Sequence, residues 1–230
     1  MLCFKLVDKR FANKIIFSQF SYHFNLPRYC IAGKNGIGKT TMLLMGAGLE
    51  TADRGDISFN QQNVFVVNTK KNIGVSSDKI LLPAFLSAQQ LINFHCQQHQ
   101  IDFPEHLLSS LNFSTQLRNK VSELSLGNSK KLSLILALAH QPQCLLIDEP
   151  STGLDHTSRE WLLDYLHHYT RNNMSSNSSN ANNAALSTDK NNTQKQIIVT
   201  SHEDDFINDT DYCQLNFAEL TKSSIKTDKV

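Results

Sequence analysis

The chain has 230 residues, of which 40% are hydrophobic and 19% are charged, so it can build a core for one domain of ordinary size and is not disordered throughout. Its 22 Lys and Arg residues nearly balance its 21 Asp and Glu residues. The net charge of +1 argues against a basic field over the whole molecule, the footprint of many nucleic-acid-binding proteins.

Cysteine usage and hydropathy indicate the compartment. The five cysteines are far apart and form no C-x-x-C pair, which argues against a disulfide scaffold and predicts a reducing cytosol. The longest apolar runs have about eight residues, whereas a membrane-spanning helix needs about 20. No basic-then-apolar secretory signal follows Met1. We therefore expect a cytoplasmic protein.

The first third of the chain alternates between strands and one Gly-rich loop. Short strands are predicted at 2–7, 14–17 and 28–32. The loop begins at Gly33, and a helix is predicted from Thr40 onwards. A hairpin (55–67) and a short strand (73–75) are predicted to follow.

The middle of the chain, roughly 80–140, is predicted to be a helical subdomain. Ser87 and Gln90 form a capping box that opens one of its helices. Beyond it, the apolar runs 144–147 and 196–200 are typical of buried parallel strands, and a helix is predicted at 159–170. This alternation predicts a single α/β domain over 1–230 with a mostly parallel sheet.

Residues 172–195 differ in composition from the rest of the chain. They contain eight Asn and five Ser in 24 positions and almost no bulky apolar residue. Such a segment buries too little surface to offset its ordering entropy. We predict a disordered surface insertion.

The Gly-rich loop, Gly-Lys-Asn-Gly-Ile-Gly-Lys-Thr, fits the phosphate-binding pattern G-x-x-x-x-G-K-[ST] between a strand and a helix. Backbone N–H groups and the helix N-terminus favour a phosphate there. We expect Lys39, in a surface loop, to reach the β and γ phosphates and the Thr40 hydroxyl to bind Mg²⁺. The residues of this nucleotide site are Gly33, Lys34, Asn35, Gly36, Ile37, Gly38, Lys39, Thr40 and Thr41.

Two carboxylates follow the apolar strand 144–147. Ligands of open α/β sheets bind at the carboxyl ends of the strands. We therefore expect Asp148 to hold Mg²⁺ and Glu149 to polarise the attacking water.

Further motifs stand in an order that resembles the ATPase subunit of ATP-binding cassette (ABC) transporters. Residues 124–128, Leu-Ser-Leu-Gly-Asn, are similar to the family signature Leu-Ser-Gly-Gly-Gln. The segment 144–150 looks like the Walker B strand, and 151–155 looks like the D-loop. A Thr-Ser-His run ending at His202 is similar to the switch histidine. The resemblance covers roughly residues 2–217.

This resemblance implies a P-loop NTPase fold of the ABC type, with an N-terminal antiparallel β part and a helical subdomain beside the mostly parallel sheet. It also implies roles for individual residues. Lys39, Glu149 and His202 are implied to be catalytic. Nucleotide contacts outside the phosphate loop are implied for Phe11, which would stack on adenine, and for Ser125, Gly127 and Asp155.

The chain departs from the family pattern in two places. The signature has Leu126 for its first Gly and Asn128 for its Gln. The strand at 73–75 is not followed by the expected Q-loop glutamine, and Asp78 is the best positional match. We therefore expect Asp78 as a third Mg²⁺ ligand beside Thr40 and Asp148, with a solvated loop residue as the alternative.

The resemblance also implies an activity and partners. The chain would bind and hydrolyse ATP with Mg²⁺ and power an exporter whose membrane domain is a separate chain. Its partners would be a second ATPase subunit, as a homodimer, and an integral membrane permease subunit, with no nucleic acid. The chain itself would be peripheral on the cytoplasmic face of the membrane. One alternative is a nucleotide-dependent binding or regulatory module with poor hydrolysis. A cassette for DNA repair or translation is disfavoured, because the long coiled coils or second cassette of such proteins are not seen here.

Several residues outside these motifs are ambiguous. His95 and His99 are one helical turn apart and could bind zinc, but no third ligand is evident in the sequence. We therefore expect both, and His140, to be solvated. Residues 81–86 are either core or a docking surface. Lys130 and Lys131 are predicted to lie exposed at the start of a helix.

Overall fold

The computed structural model describes residues 1–170, 195–201, 204–207 and 209–223. The predicted insertion at 172–195 lies outside the described residues except for Lys195, and so does His202. Both predictions stay predictions.

Strands and helices alternate over most of the described chain. The strands are β1 (Leu2–Phe11), β2 (Lys14–His23), β3 (Arg28–Ala32), β4 (Arg54–Phe59), β5 (Gln62–Asn63), β6 (Ile73–Ser76), β7 (Cys144–Asp148), β8 (Gln196–Ser201) and β9 (Cys213–Asn216). The helices are α1 (Lys39–Gly46), α2 (Val67–Lys70), α3 (Ala88–His99), α4 (Glu105–Ser110), α5 (Leu126–Ala139), α6 (His156–Tyr169), α7 (Asp204–Ile207) and α8 (Phe217–Ser223). Two 3₁₀ turns, Ser114–Gln116 and Val121–Glu123, separate α4 from α5.

The strands form two sheets of different character. An antiparallel sheet has the order β2-β1-β4-β5, and a parallel sheet has the order β6-β7-β8-β3-β9. The predicted α/β fold with an N-terminal antiparallel part is therefore confirmed. The elements between β6 and β7 are helical, as expected for the region 80–140.

The two central strands of the parallel sheet are buried on both faces. Every residue of β7 and β8 is buried, which explains their nearly continuous apolar sequences. Because side chains alternate along a strand, Leu145 and Ile147 pack into a core with α3 to α6. Leu146 and Ile198 pack into a second core with α1 and the antiparallel sheet.

The buried amide of Gln196 connects the two sheets. Its Oε1 accepts from the backbone N–H of Leu2 at 2.9 Å. Its Nε2 donates to the carbonyl oxygens of Phe24 at 2.7 Å and Leu26 at 3.0 Å. One side chain therefore satisfies three backbone groups where the sheets meet.

Helix starts follow the capping residues. The predicted capping box is confirmed, since Ser87 Oγ accepts from the N–H of Gln90 at 3.2 Å and Gln90 Oε1 accepts from the N–H of Ser87 at 2.9 Å. Helix α5 begins at Leu126 because Ser125 Oγ accepts the N–H of Asn128 at 3.2 Å.

Two expectations about exposure were wrong. Lys130 and Lys131 are buried, because α5 lies between the sheet and the loop that follows β7. His95, His99 and His140 are partly buried against one another rather than solvated. His140, which the sequence did not place near His95 and His99, thus lies against both of them.

The apolar segment 81–86 divides between core and surface. Leu82 and Leu86 pack against the helical core, whereas Leu81 and Phe85 are 93% and 77% exposed. In the part of the chain that the structure describes, no helix combines the length and apolar character that a membrane span requires.

Candidate functional site

A cavity of about 640 Å³ opens beside the Gly-rich loop at the carboxyl end of β3. Its volume is in the range typical of small-molecule sites. The lining residues are Phe11, Lys14, Ile16, Lys34, Asn35, Gly36, Gly38, Lys39, Thr40, Thr41, Leu44, Glu50, Lys79 and Glu149. The structure thus brings Phe11, most of the loop and Glu149 to one cavity.

The backbone of the loop requires glycine at two positions. Gly36 and Gly38 have φ angles of 72° and 125°, which residues with a side chain rarely adopt. A Cβ atom on Gly38 would also lie 2.4 Å from Cγ2 of Ile16. The loop therefore closes tightly onto β2 just before α1 begins, and leaves the first N–H groups of α1 free of intrahelical partners.

Lys39 is the first residue of α1, and its side chain is buried rather than in a surface loop as expected. The Nζ atom donates to the carbonyl oxygen of Gly33 at 2.5 Å. It also lies 4.0 Å from Oε1 of Glu149. It donates more weakly to the carbonyl oxygen of Lys34 at 3.4 Å. The ammonium group therefore stands between the loop and the acidic strand end, with one acceptor for each of its three N–H donors.

Three hydroxyl groups surround the carboxylate of Asp148 at the end of β7. Thr40 Oγ1 and Ser77 Oγ donate to Oδ2 at 2.8 and 3.0 Å. Thr200 Oγ1 donates to Oδ1 at 2.5 Å. The register of the parallel strands produces this arrangement, because Asp148 pairs with Thr200 on β8. Asp148 is thus held rigidly beside the first turn of α1.

Glu149 has a φ angle of 50°, which costs a residue with a side chain about 1–2 kcal/mol. Its backbone N–H donates to the carbonyl oxygen of Thr200 at 3.1 Å. The hydrogen bond to β8 holds the left-handed turn, and the turn directs Glu149 into the cavity rather than along the strand. Strain of this kind concentrates at functional sites.

Asp78 faces a lysine on α5. Its Oδ1 lies 3.7 Å from Nζ of Lys130, which also donates to the carbonyl oxygen of Asp148 at 2.6 Å. Burial lowers the pKa of Lys130, and the acids Asp78 and Asp148 oppose that shift. The neighbour of Asp78, Ser77, is the residue whose side chain contacts Asp148. Asp78 as a metal ligand stays a prediction without a supporting contact.

Phe11 lies at the end of β1, half-exposed at the cavity wall. The Nζ atom of Lys9 lies 4.7 Å from the centre of its ring. An exposed aromatic face next to a phosphate-binding loop can stack on a planar heterocycle. The structure therefore places Phe11 within reach of the ligand that the loop would hold.

The predicted signature and D-loop residues lie apart from the cavity lining. Ser125 is exposed at the start of α5, and a Cβ atom on Gly127 would lie 2.7 Å from the carbonyl oxygen of Gly153. Asp155 caps α6 and forms an ion pair with Lys131, which lowers the pKa of its carboxyl to about 2. Ser125, Gly127 and Asp155 thus contribute to a neighbouring surface, not to this cavity.

The oxygen atoms around Asp148 suit a magnesium ion. A carboxylate and the Thr40 hydroxyl are hard ligands of the kind Mg²⁺ prefers, and both adjoin the loop that would hold the phosphates. Thr40 and Asp148 therefore fit the predicted metal role, which stays a prediction.

Sequence reasoning missed three groups of this site. Ser77 and Thr200 orient Asp148, and Lys130 binds its carbonyl oxygen. The sequence does show the hydroxyl of Ser77 directly before Asp78 and that of Thr200 at the end of the apolar run 196–200. That both hydroxyls reach Asp148 depends on which strands are neighbours in the sheet.

Comparisons with known proteins agree with this geometry. A family model described as ABC transporter matches residues 24–152, more than half of the chain. The Nod factor export ATP-binding protein I of Burkholderia lata is 32% identical over 172 residues, which cover 71% of this chain and 57% of that protein. The sulfate/thiosulfate import ATP-binding protein CysA of Synechocystis is 36% identical over 143 residues, or 59% of this chain and 40% of that protein.

The fold comparison reaches further along the chain. A dimeric bacterial ABC transporter cassette superposes with a TM-score of 0.71 at 17% identity and covers 94% of this chain and 95% of that structure. The chain spans little more than half the length of the Nod factor export relative.

Proposed function

The chain belongs to the ABC transporter family of ATP-binding proteins, and we propose that it binds and hydrolyses ATP to drive transport through a membrane subunit carried by another polypeptide. The observation that carries this proposal is the convergence of Lys39 and Glu149 on one cavity behind the Gly-rich loop. A phosphate-binding loop and an acidic group facing the terminal phosphate are the two elements that a P-loop ATPase requires.

Each part of the cavity would hold one part of ATP. Loop N–H groups and the N-terminus of α1 would bind the phosphates, and Lys39 would exchange its contact with Gly33 for the β and γ phosphates. Phe11 would stack on the adenine ring at the cavity wall. Mg²⁺, held by Thr40 and Asp148, would neutralise phosphate charge when bound.

Glu149 would act as the general base for hydrolysis. The attacking water forms a bond to the γ phosphorus, its proton passes to the Glu149 carboxylate, and the bond to the bridging oxygen breaks to leave ADP and phosphate. Glu149 lines the cavity, held by its strained turn against β8. We propose that His202 assists in the same step, as the family resemblance implies.

Glu149→Gln tests this assignment. The amide keeps the shape of the side chain but cannot accept the proton, so we expect turnover to fall about 10²–10⁴-fold while ATP stays bound. Steady-state phosphate release and nucleotide affinity would be measured together, with Glu160→Gln on the exposed face of α6 as the control. Equal turnover in Glu149→Gln and wild type would contradict the role. Tight ATP binding with negligible wild-type turnover would instead favour the nucleotide-dependent binding module.

We propose that two copies of the chain act as a homodimer. The exposed Ser125 turn of one copy would cover the ATP of the other, which accounts for its position outside the cavity of its own chain. Asp155 and Gly127 would belong to the same interface. Size-exclusion chromatography of Glu149→Gln tests this, because the variant should be a dimer with ATP and a monomer without it. A monomer in ATP would contradict it.

We propose that the membrane subunit docks on Leu81 and Phe85, which makes the protein peripheral on the cytoplasmic face. Their exposure is unusual for side chains of this size, and such patches mark interfaces.

The name of the Nod factor relative supports export as the direction of transport, and the name of CysA supports import. We propose export, so ATP-dependent substrate uptake should occur in inside-out vesicles. Uptake in right-side-out vesicles alone would contradict it.

We also infer that residues 1–230 form a single ABC ATPase domain whose helical subdomain covers about 80–140. Helices α3, α4 and α5 share one core in this region, which supports that boundary.

A further inference from the structure

Three histidines meet on the face of the helical region, apart from the residues that line the ATP cavity. His95 and His99 lie one turn apart on α3, and His140 immediately follows α5. The rings of His99 and His140 are stacked with centroids 4.0 Å apart, and the ring of His95 lies 4.4 Å from that of His99. Two helices distant in sequence thus bring three imidazoles together.

The ring nitrogens have nearly the spacing of a metal site. His95 Nε2 and His140 Nδ1 are 3.1 Å apart, and one nitrogen from each of the three rings lies within 4.8 Å of the others. In a tetrahedral zinc site with Zn–N bonds of about 2.0–2.1 Å, ligand nitrogens are about 3.3 Å apart. Small rotations of the rings would therefore complete the coordination.

The pKa values of the three histidines are lowered, so at neutral pH the rings are uncharged, do not repel one another as cations and can bind a metal. Burial, and the neighbouring histidines, lower the pKa of His95 to about 4 and that of His140 to about 3. Burial also lowers the pKa of His99, and the charge of Lys71 adds to that shift. Neutral imidazoles each offer a lone pair to a metal at pH 7.

One ring nitrogen of the cluster is buried without a hydrogen bond. The Nε2 atom of His140 is buried and has no hydrogen-bond partner among the described residues. Ring stacking does not satisfy a buried polar nitrogen, which carries a desolvation cost. A metal ion bound at Nδ1, the atom that faces His95, would leave this cost in place, whereas a turn of the ring that brings Nε2 into the cluster would let Nε2 bind the ion.

We propose that His95, His99 and His140 bind one Zn²⁺ ion, with water in the fourth position. Imidazole nitrogens suit zinc, whereas the oxygen ligands beside Asp148 suit magnesium, so the two sites would not compete. The i, i+4 pair on α3 has the spacing that binds zinc on a single helix face, and His140 adds a ligand from a second helix. The ion joins α3 to the end of α5 and stabilises the helical region.

Calorimetric titration of Zn²⁺ alone into the chelator-treated chain, without nucleotide, tests this proposal. We expect one ion per chain and a higher melting temperature with zinc. His95→Gln and His140→Gln should each weaken binding by at least about tenfold, which is the lower bound typical of changes around metal ligands. His106→Gln, an exposed histidine on α4, is the matched control and should bind zinc as wild type does.

Cobalt provides a second readout of geometry. Co²⁺ in a tetrahedral nitrogen site gives intense visible bands that His140→Gln should abolish. If His140→Gln does not fold by circular dichroism, His99→Gln, the less buried ligand, replaces it. Absence of zinc binding, or equal zinc affinity in wild type and all folded cluster variants, would overturn the proposal.

Discussion

Thr200→Val removes the hydroxyl group that orients Asp148 and that also accepts a longer hydrogen bond, at 3.3 Å, from the backbone N–H of Glu149. Thr200 is fully buried on β8, and valine has nearly the same shape, so no cavity forms. The carboxylate loses the donor that lies 2.5 Å from Oδ1 but keeps Thr40 and Ser77 on Oδ2. The backbone N–H of Glu149 keeps its bond to the Thr200 carbonyl oxygen.

The size of the effect follows from the charge on the acceptor. A hydrogen bond to a charged group contributes about 1.5–3 kcal/mol, so the free energy of unfolding should fall by that amount. Thr69→Val is the matched control, because the buried Thr69 donates at 3.3 Å to the neutral amide of Gln62. That loss should be about 0.5–1.5 kcal/mol.

Activity separates a positioning role from a purely structural one. Changing a group that orients a metal ligand typically lowers affinity or activity about 10- to 100-fold. We therefore expect Thr200→Val to need about tenfold more Mg²⁺ for half-maximal ATP hydrolysis, with Thr69→Val unchanged. Urea unfolding and magnesium titrations of the ATPase rate measure both effects. A stability loss no larger than that of Thr69→Val, together with an unchanged magnesium dependence, would refute the reasoning.

Three further predictions test other parts of the structure. Lys39→Ala should abolish ATP binding in equilibrium titrations, whereas Lys5→Ala on the exposed side of β1 should bind normally. Because the Lys39 side chain is buried, circular dichroism would check that the variant folds. Unchanged affinity in folded Lys39→Ala would remove the lysine from the site. Gln196→Met should lower the free energy of unfolding by about 2–4 kcal/mol, because buried backbone groups lose their hydrogen-bond partners. Urea unfolding measures this loss. The control Gln97→Met, at an exposed position, should stay within about 0.5 kcal/mol of wild type. The pKa of Asp155 is lowered from 3.8 to about 2, so its stabilisation is present above pH 3.8 and lost as the pH falls through 2. Asp155→Asn should therefore lose less stability than wild type between pH 4 and pH 2. The difference between the two losses should be less than about 1 kcal/mol, because the side chain is half-exposed. Parallel curves of unfolding free energy against pH would contradict the assignment.

Local patterns in the sequence determined the parts of the site that are contiguous along the chain. The Gly-rich loop between a strand and a helix needs glycines at fixed offsets because of backbone conformation, and that requirement is visible in the residues themselves. Apolar runs ending in acids likewise predicted β7, because a strand buried on both faces admits few polar residues. The Ser87 capping box was equally local.

Only the tertiary structure decided which distant side chains meet. Thr200 orients Asp148 because β7 and β8 are neighbours in one register, and no sequence pattern states that pairing. The third histidine, His140, joins the pair on α3 because two helices pack side by side. Ser77 rather than Asp78 contacts Asp148, since a change of one residue at the end of a strand reverses the direction of the side chain. Contacts between elements depend on packing and register, which exist only once the chain has folded.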